Sequence, residues 1–136
     1  MYTSDYERTE AIIDVLLYGD TGLAPYVTLD LYGIGAGAQA KSCGCLLAQS
    51  FVYCHGPERR QLYCLALVAL GTDACIEAVG DIMRNDPDPT VRIAAIYAAQ
   101  VFDIQTFVAS LFYASSLDKH GAVRRAADFV LSNLEL

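Results

Sequence analysis

The sequence predicts an all-α fold, an α-solenoid of about three and a half stacked antiparallel helix pairs with a period of 32 residues. Three observations predict it. Pro25, Pro57 and Pro89 lie 32 residues apart, and the next step lands on Gly121. The same step links Arg60, Arg92 and Arg124. It also joins Leu65 to Tyr97 and Phe129, and Leu70 to Phe102 and Leu134. Self-similarity at a fixed period of this size marks an array of supersecondary units, each burying its apolar face against its neighbours. Within the period the apolar residues recur at helical spacing, and no segment alternates apolar and polar long enough to argue a strand.

The elements follow in order. A cap helix is expected within 1–24, repeats at 25–56, 57–88 and 89–120, and a C-terminal cap helix over 121–136. Ser4-Asp-Tyr-Glu7 reads as a capping box, which serves two free amides reciprocally. It opens a helix to about Tyr18, with Ile12, Ile13, Leu16 and Leu17 turned inward. Gly19-Asp-Thr-Gly22 reads as a turn. The unit at Pro25 is the least regular, because Gly33, Gly35 and Gly37 fall where a helix end and turn should lie. Pro57 opens a helix to about Leu70. A proline suits the first helical position, where its missing N–H is not needed and its φ is already helical. Gly71 ends that helix, and Thr72 can cap the next, which runs to about Arg84. Asp88 is a good N-cap for the helix begun by Pro89, which carries Val91, Ala94, Ala95, Ala98, Val101 and Phe102 at core spacing. Its partner follows Asp103 with Ile104, Phe107, Val108, Leu111 and Phe112, and a last helix runs from about His120 to Leu134. Helix starts therefore fall near residues 4, 25, 57, 73, 88, 104 and 120, in a chain of seven to eight helices.

Asp86-Pro-Asp-Pro-Thr-Val-Arg-Ile-Ala-Ala resembles the opening of a HEAT-type repeat, particularly the short form named after phycobilisome lyases. Asp118-Lys-His-Gly-Ala-Val-Arg-Arg-Ala-Ala resembles it again one period later. The unit at Pro57 keeps Arg60 but carries Arg59 in the valine slot, and the unit at Pro25 keeps little beyond the proline. The resemblance implies an α-solenoid in which the second helix of each pair lines a concave face.

Composition narrows the function. Hydrophobic residues make up 54% of the chain and charged residues 18%, which excludes intrinsic disorder. Sixteen acids against nine bases give a net charge of −7, the opposite of what a phosphate-tracking nucleic-acid binder needs. The N-terminal residues are acidic and lack an apolar targeting region. The longest stretch free of Asp, Glu, Lys and Arg, Ser42 to Pro57, is shorter than the ~20 residues of a membrane helix. The expectation is a soluble cytoplasmic protein with no nucleic-acid and no membrane partner.

No constellation supports catalysis. The five cysteines are an odd number, and Cys43 and Cys45, two apart on a helix, point to different faces. Cys54, Cys64 and Cys75 do not complete a tetrahedral zinc set, so the thiols read as reduced, metal-free core residues. His55 and His120 precede helix starts and read as turn or cap residues. The repeated His-Glu pairs of HEAT-like metal hydroxylases are missing. Gly33-Ile-Gly35-Ala-Gly37 has neither the strand before it nor the Gly-Lys-Ser/Thr after it that a phosphate loop requires. Arg59 with Arg60, and Arg124 with Arg125, are a poor substitute for the broadly basic face of HEAT-like DNA glycosylases. Arg60, Arg92 and Arg124 read instead as a structural ladder, since arginine forms forked hydrogen bonds readily. Neither a catalytic residue nor a metal or cofactor is expected.

What remains is a binding surface. Residues 1–30 hold Asp5, Glu7, Glu10, Asp14, Asp20 and Asp30 against Arg8 alone. Asp73, Glu77 and Asp81 recur every four residues and share one helix face. One period on, the same slots hold Gln105, Ala109 and Tyr113; one period back, Lys41, Cys45 and Gln49. The expected binding face is centred on Asp73, Glu77, Asp81, Gln105, Ala109 and Tyr113. The function it suggests is non-enzymatic: holding a partner protein with a basic surface, as a small inhibitor or immunity-type protein. The alternatives are a phycobilin-lyase-like enzyme or enzyme subunit acting on linear tetrapyrroles, and a self-associating structural module.

Overall fold

The computed structural model describes residues 4–102 and 104–134. Its α-helices are α1 (Asp5–Tyr18), α2 (Ala24–Gly35), α3 (Ala40–Ser50), α4 (Pro57–Leu70), α5 (Asp73–Asn85), α6 (Pro89–Val101), α7 (Val108–Leu117) and α8 (Gly121–Ser132). Short 3-10 turns at Thr21–Leu23, Phe51–Tyr53 and Ile104–Phe107 join them, and the described residues contain no strand.

Local signals set most boundaries. The Ser4 Oγ accepts from the Glu7 N–H at 3.1 Å and starts α1. Pro57 and Pro89 are the first residues of α4 and α6, and Pro25 is the second of α2. The Asp88 carboxylate accepts from the Thr90 N–H at 2.7 Å, and the His120 Nδ1 takes the same role for Ala122 at 3.2 Å. Gly71 closes α4 in the left-handed conformation, φ +72°, where a side chain is strained.

Four expectations need correction. The irregular unit holds a full helix, α3, missing from the expected starts. The 104 start opens a 3-10 turn, and α7 begins only at Val108. Thr72 sits at the N-cap of α5 without capping it; its hydroxyl donates to the Cys75 Sγ at 3.4 Å. Val101 and Phe112, read as inward, are exposed. Gly80, one period before Phe112, faces α7, so Phe112 points from the far side of α7, where no described helix lies. The Asp103 reading lies outside the described residues.

The helices form two layers. In one, α2, α4, α6 and α8 pack side by side in that order. In the other, α1, α3, α5 and α7 do the same, and successive helices cross between layers. The core runs between them through Leu31, Ile34, Leu47, Tyr63, Leu67, Val79, Met83, Val91, Ile96, Leu111 and Val123. Close approach of helices dictates small residues: a Cβ on Gly44 of α3 would run into the Thr72 hydroxyl.

A polar ladder ties the α4–α6–α8 layer together. Arg60 donates a two-pronged bond to Asp86 at 3.1 and 3.3 Å. One step on, Arg92 does the same to Asp118 at 2.8 and 3.1 Å. Each acid also accepts from the amide two residues ahead, Asp88 at 3.0 Å and His120 at 2.9 Å, and so shapes the turn into the next helix. Each following arginine ties back: Arg92 to the Asp86 carbonyl at 2.7 Å, Arg124 to the Asp118 carbonyl at 2.6 Å. The arginines read as a ladder from sequence thus make these hydrogen bonds: each fork joins an arginine to the acid 26 residues on, and each tie-back reaches the carbonyl six residues before. Arg59, in the slot where Val91 and Val123 are buried, reaches the Leu16 and Gly19 carbonyls at 3.2 and 2.7 Å. It satisfies acceptors left open at the end of α1.

Candidate partner-binding face

The α5 acids come from helical spacing on an amphipathic helix. Cys75, Val79, Ile82 and Met83 are buried, which turns Asp73, Glu77 and Asp81 outward, and all three are exposed. Asp81 accepts from the Asn85 side chain at 2.7 Å. On α7, which packs beside α5, Ala109 and Tyr113 are exposed, and Gln105 is exposed on the preceding 3-10 turn. All six expected residues are therefore solvent-facing, on α5, α7 and the 3-10 turn that leads into α7. Lys41 and Gln49 are exposed on α3, with Cys45 half-buried between them.

The structure adds an acidic strip that the period did not locate. Stepping back 32 residues from Lys41, Cys45 and Gln49 lands on Thr9, Ile13 and Leu17, which are buried. The exposed acids of α1 are instead Glu7, Glu10 and Asp14, spaced to share a face. The signal was the acid excess of residues 1–30; what it lacked was the layer, because α1 packs against α3. Two acidic helices thus flank α3 in one layer, and α3 contributes one exposed cation, Lys41.

Grooves run between these helices. One of about 510 Å³ lies between Tyr6 and the α3 residues Lys41, Ser42, Cys45, Leu46 and Gln49. A second, about 370 Å³, lies between α3 and α5, with Gln49, Val52, Ala78, Asp81 and Asn85 on its walls. A third, about 280 Å³, lies between the ends of α5 and α7, with Arg84, Asn85, Tyr113, Leu117 and Lys119. Gln49 borders the first two, and Asn85, Asp86 and Pro87 border the last two, so the three adjoin along one layer. The groove walls bring Asp81 and Tyr113 to either side of the α5 end, whereas Asp73, Glu77, Gln105 and Ala109 line none of the three. Sequence reasoning missed Arg84, Asn85, Leu117 and Val52, which gain meaning only once two helices are adjacent.

The buried thiols are chemically quiet. Burial pushes the Cys54 thiol up to about 11, against the pull of Arg60 and Arg59, and the Cys64 thiol to about 12. Cys75 shifts the same way through burial, opposed by the Thr72 hydroxyl. A thiol held neutral is neither nucleophile nor metal ligand. All five cysteines are free, and Cys45 alone is not buried. Among the described residues no group of three or more His, Cys, Asp or Glu is placed to hold a metal ion. No described helix is long and apolar enough to cross a membrane. No protein-family model, curated protein or solved structure matches the chain.

Proposed function

We propose that the chain is a non-enzymatic α-solenoid of the HEAT-like kind that binds a partner protein carrying a basic surface, as a small inhibitor of the immunity type. The partner lies across α1, α3, α5 and α7. The observation that carries this reading is the run of three adjoining grooves between those helices, with Asp81 on a groove wall and Glu7, Glu10, Asp14, Asp73 and Glu77 exposed elsewhere on α1 and α5. Grooves give a partner side chain somewhere to be desolvated, and the acids bias which side chains arrive. Exposed Tyr113 and Leu117 at the α7 end supply the aromatic and aliphatic contact on which interfaces depend. Charge complementarity of this sort raises association rate and partner selectivity more than affinity.

The test is selection of binders from a random peptide-display library on the immobilised chain. Wild-type chain enriches Lys- and Arg-rich peptides. The triple variant Asp73→Lys, Glu77→Lys, Asp81→Lys loses that enrichment, and its folding changes little, since exposed substitutions stay within about 0.5 kcal/mol each. Equal enrichment by wild type and variant would mean that these acids are only a solvated face. Enrichment of apolar peptides alone would remove the basic partner from the reading.

A further inference from the structure

Among the described residues, the ladder of forked arginines leaves a donor open at Arg124 and an acceptor open at Asp20, towards opposite ends of the fold. Arg124 occupies on α8 the place that Arg60 holds on α4 and Arg92 on α6. Its Nη1 is tied to the Asp118 carbonyl, as Arg92 is tied to that of Asp86. Among the described residues no carboxylate pairs with it. The counterpart acids, Asp86 and Asp118, sit in the connection from an α1–α3–α5–α7 helix into the next helix of the other layer. They share one backbone conformation, φ/ψ −60°/134° and −63°/135°, and one hydrogen bond to the amide two residues ahead. Asp20 repeats all of this in the connection from α1 to α2. Its φ/ψ is −66°/125°, its Oδ1 accepts from the Gly22 N–H at 2.8 Å, and it is exposed with no described ion pair.

The two ends also match as helices. Among the described residues, α1 is the first helix of its layer and α8 the last helix of the other. Placing α1 of one copy beside α7 and α8 of another sets a helix across α8, as α5 crosses α4 and α6. It brings α2 next to α8 and sets the loop holding Asp20 where the Arg124 fork needs an acid. Charge fits this docking. From Ser4 to Asp30 six acids face one arginine, whereas Lys119, Arg124 and Arg125 stand together with no acid among residues 119–125. The side of α8 that would be covered is polar to suit: Arg125 and Asp128 are exposed where α6 has Ile93 and the fully buried Ile96. Phe112 on α7, and Tyr26 and Leu29 on α2, about 70% exposed each in α2, supply apolar contact and faces on which arginine stacks.

We propose that a second copy of this chain docks head to tail on the first, with Asp20 of one copy closing the open rung at Arg124 of the other. Such a heterologous contact propagates into chains of copies or closes into a ring.

The experiment is sedimentation velocity of the whole chain from micromolar to near-millimolar concentration, at about 20 mM and about 0.3 M salt, where screening differs severalfold. Wild type grows in mass with concentration, and less so at the higher salt. Asp20→Arg and Arg124→Asp each stay monomeric, because each sets like charges against one another. Mixed in equal amounts, the two reassemble, since every contact then pairs Arg with Asp. Asp20→Asn keeps the acceptor for the Gly22 amide, so it folds like wild type while weakening association about tenfold or more. Wild type that stays monomeric throughout overturns the proposal. So does assembly of Asp20→Asn equal to wild type, or failure of the folded charge-swapped pair to reassemble.

Discussion

Replacing Asp118 with alanine breaks the most enclosed rung of the ladder. The Arg92 and Asp118 side chains are each 4% exposed, so neither charge can recover its loss from water. The substitution strands the Arg92 Nε and Nη2, which held the carboxylate at 2.8 and 3.1 Å, and frees the His120 amide. Only the Nη1 bond to the Asp86 carbonyl survives. Removing one partner of a buried pair costs about 3–5 kcal/mol. In a domain of this size that lowers Tm by about 10–15 °C. Asp86→Ala is milder, about 2–3 kcal/mol, because its partner Arg60 is 18% exposed and can turn toward solvent. Replacing both members of the inner rung, Arg92→Met with Asp118→Leu, recovers most of the loss, since a buried pair contributes little over apolar residues of similar volume. The residual cost is about 1 kcal/mol for the unserved His120 amide. Urea denaturation reads all four proteins, with shifts in midpoint at constant slope reporting stability. An Asp118→Ala loss under about 1 kcal/mol, or a double variant as unstable as the single, would refute this account of the rung.

Two further outcomes rest on the buried thiols. Cys54 and Cys64 titrate above their ordinary 9.0, at about 11 and about 12, because burial disfavours the thiolate. The unfolded chain therefore ionises first, so their contribution is fully present below pH 9 and is lost progressively as pH rises from 9 to about 11 for Cys54 and to about 12 for Cys64. Each removes about 1.4 kcal/mol per pH unit in that window, and Cys54→Ala flattens the alkaline slope measured by urea titration. A disulfide reagent added to the native chain at neutral pH labels Cys45 first, with the other four thiols reacting only after denaturant is added. Rapid labelling of a second thiol, located by peptide mapping, would contradict the packing of α3 to α5.

The sequence by itself determined the helical class and most helix ends, because those depend on local chemistry. Pro57, Pro89, Gly71 and Asp88 act within one turn of their own position, and their preferences survive in any context. It also pointed to Arg60, Arg92 and Arg124 as structural, since a residue that recurs with the period belongs to whatever joins the units. The start of α3 was obscured because Gly33, Gly35 and Gly37 before it carry no helix preference, and Gly44 within it is there for the approach of Thr72, a contact between residues 28 apart in sequence. Tertiary structure alone decided which acids share a layer. Helical spacing places Glu7, Glu10 and Asp14 on one face of α1, but that face joins Asp73, Glu77 and Asp81 only because α1 packs on α3 and α3 on α5. The grooves belong to the same category, each being space between two helices rather than a property of either. The open rung required both sources: the period named Arg124, and the backbone of Asp20, matching Asp86 and Asp118, supplied its complement.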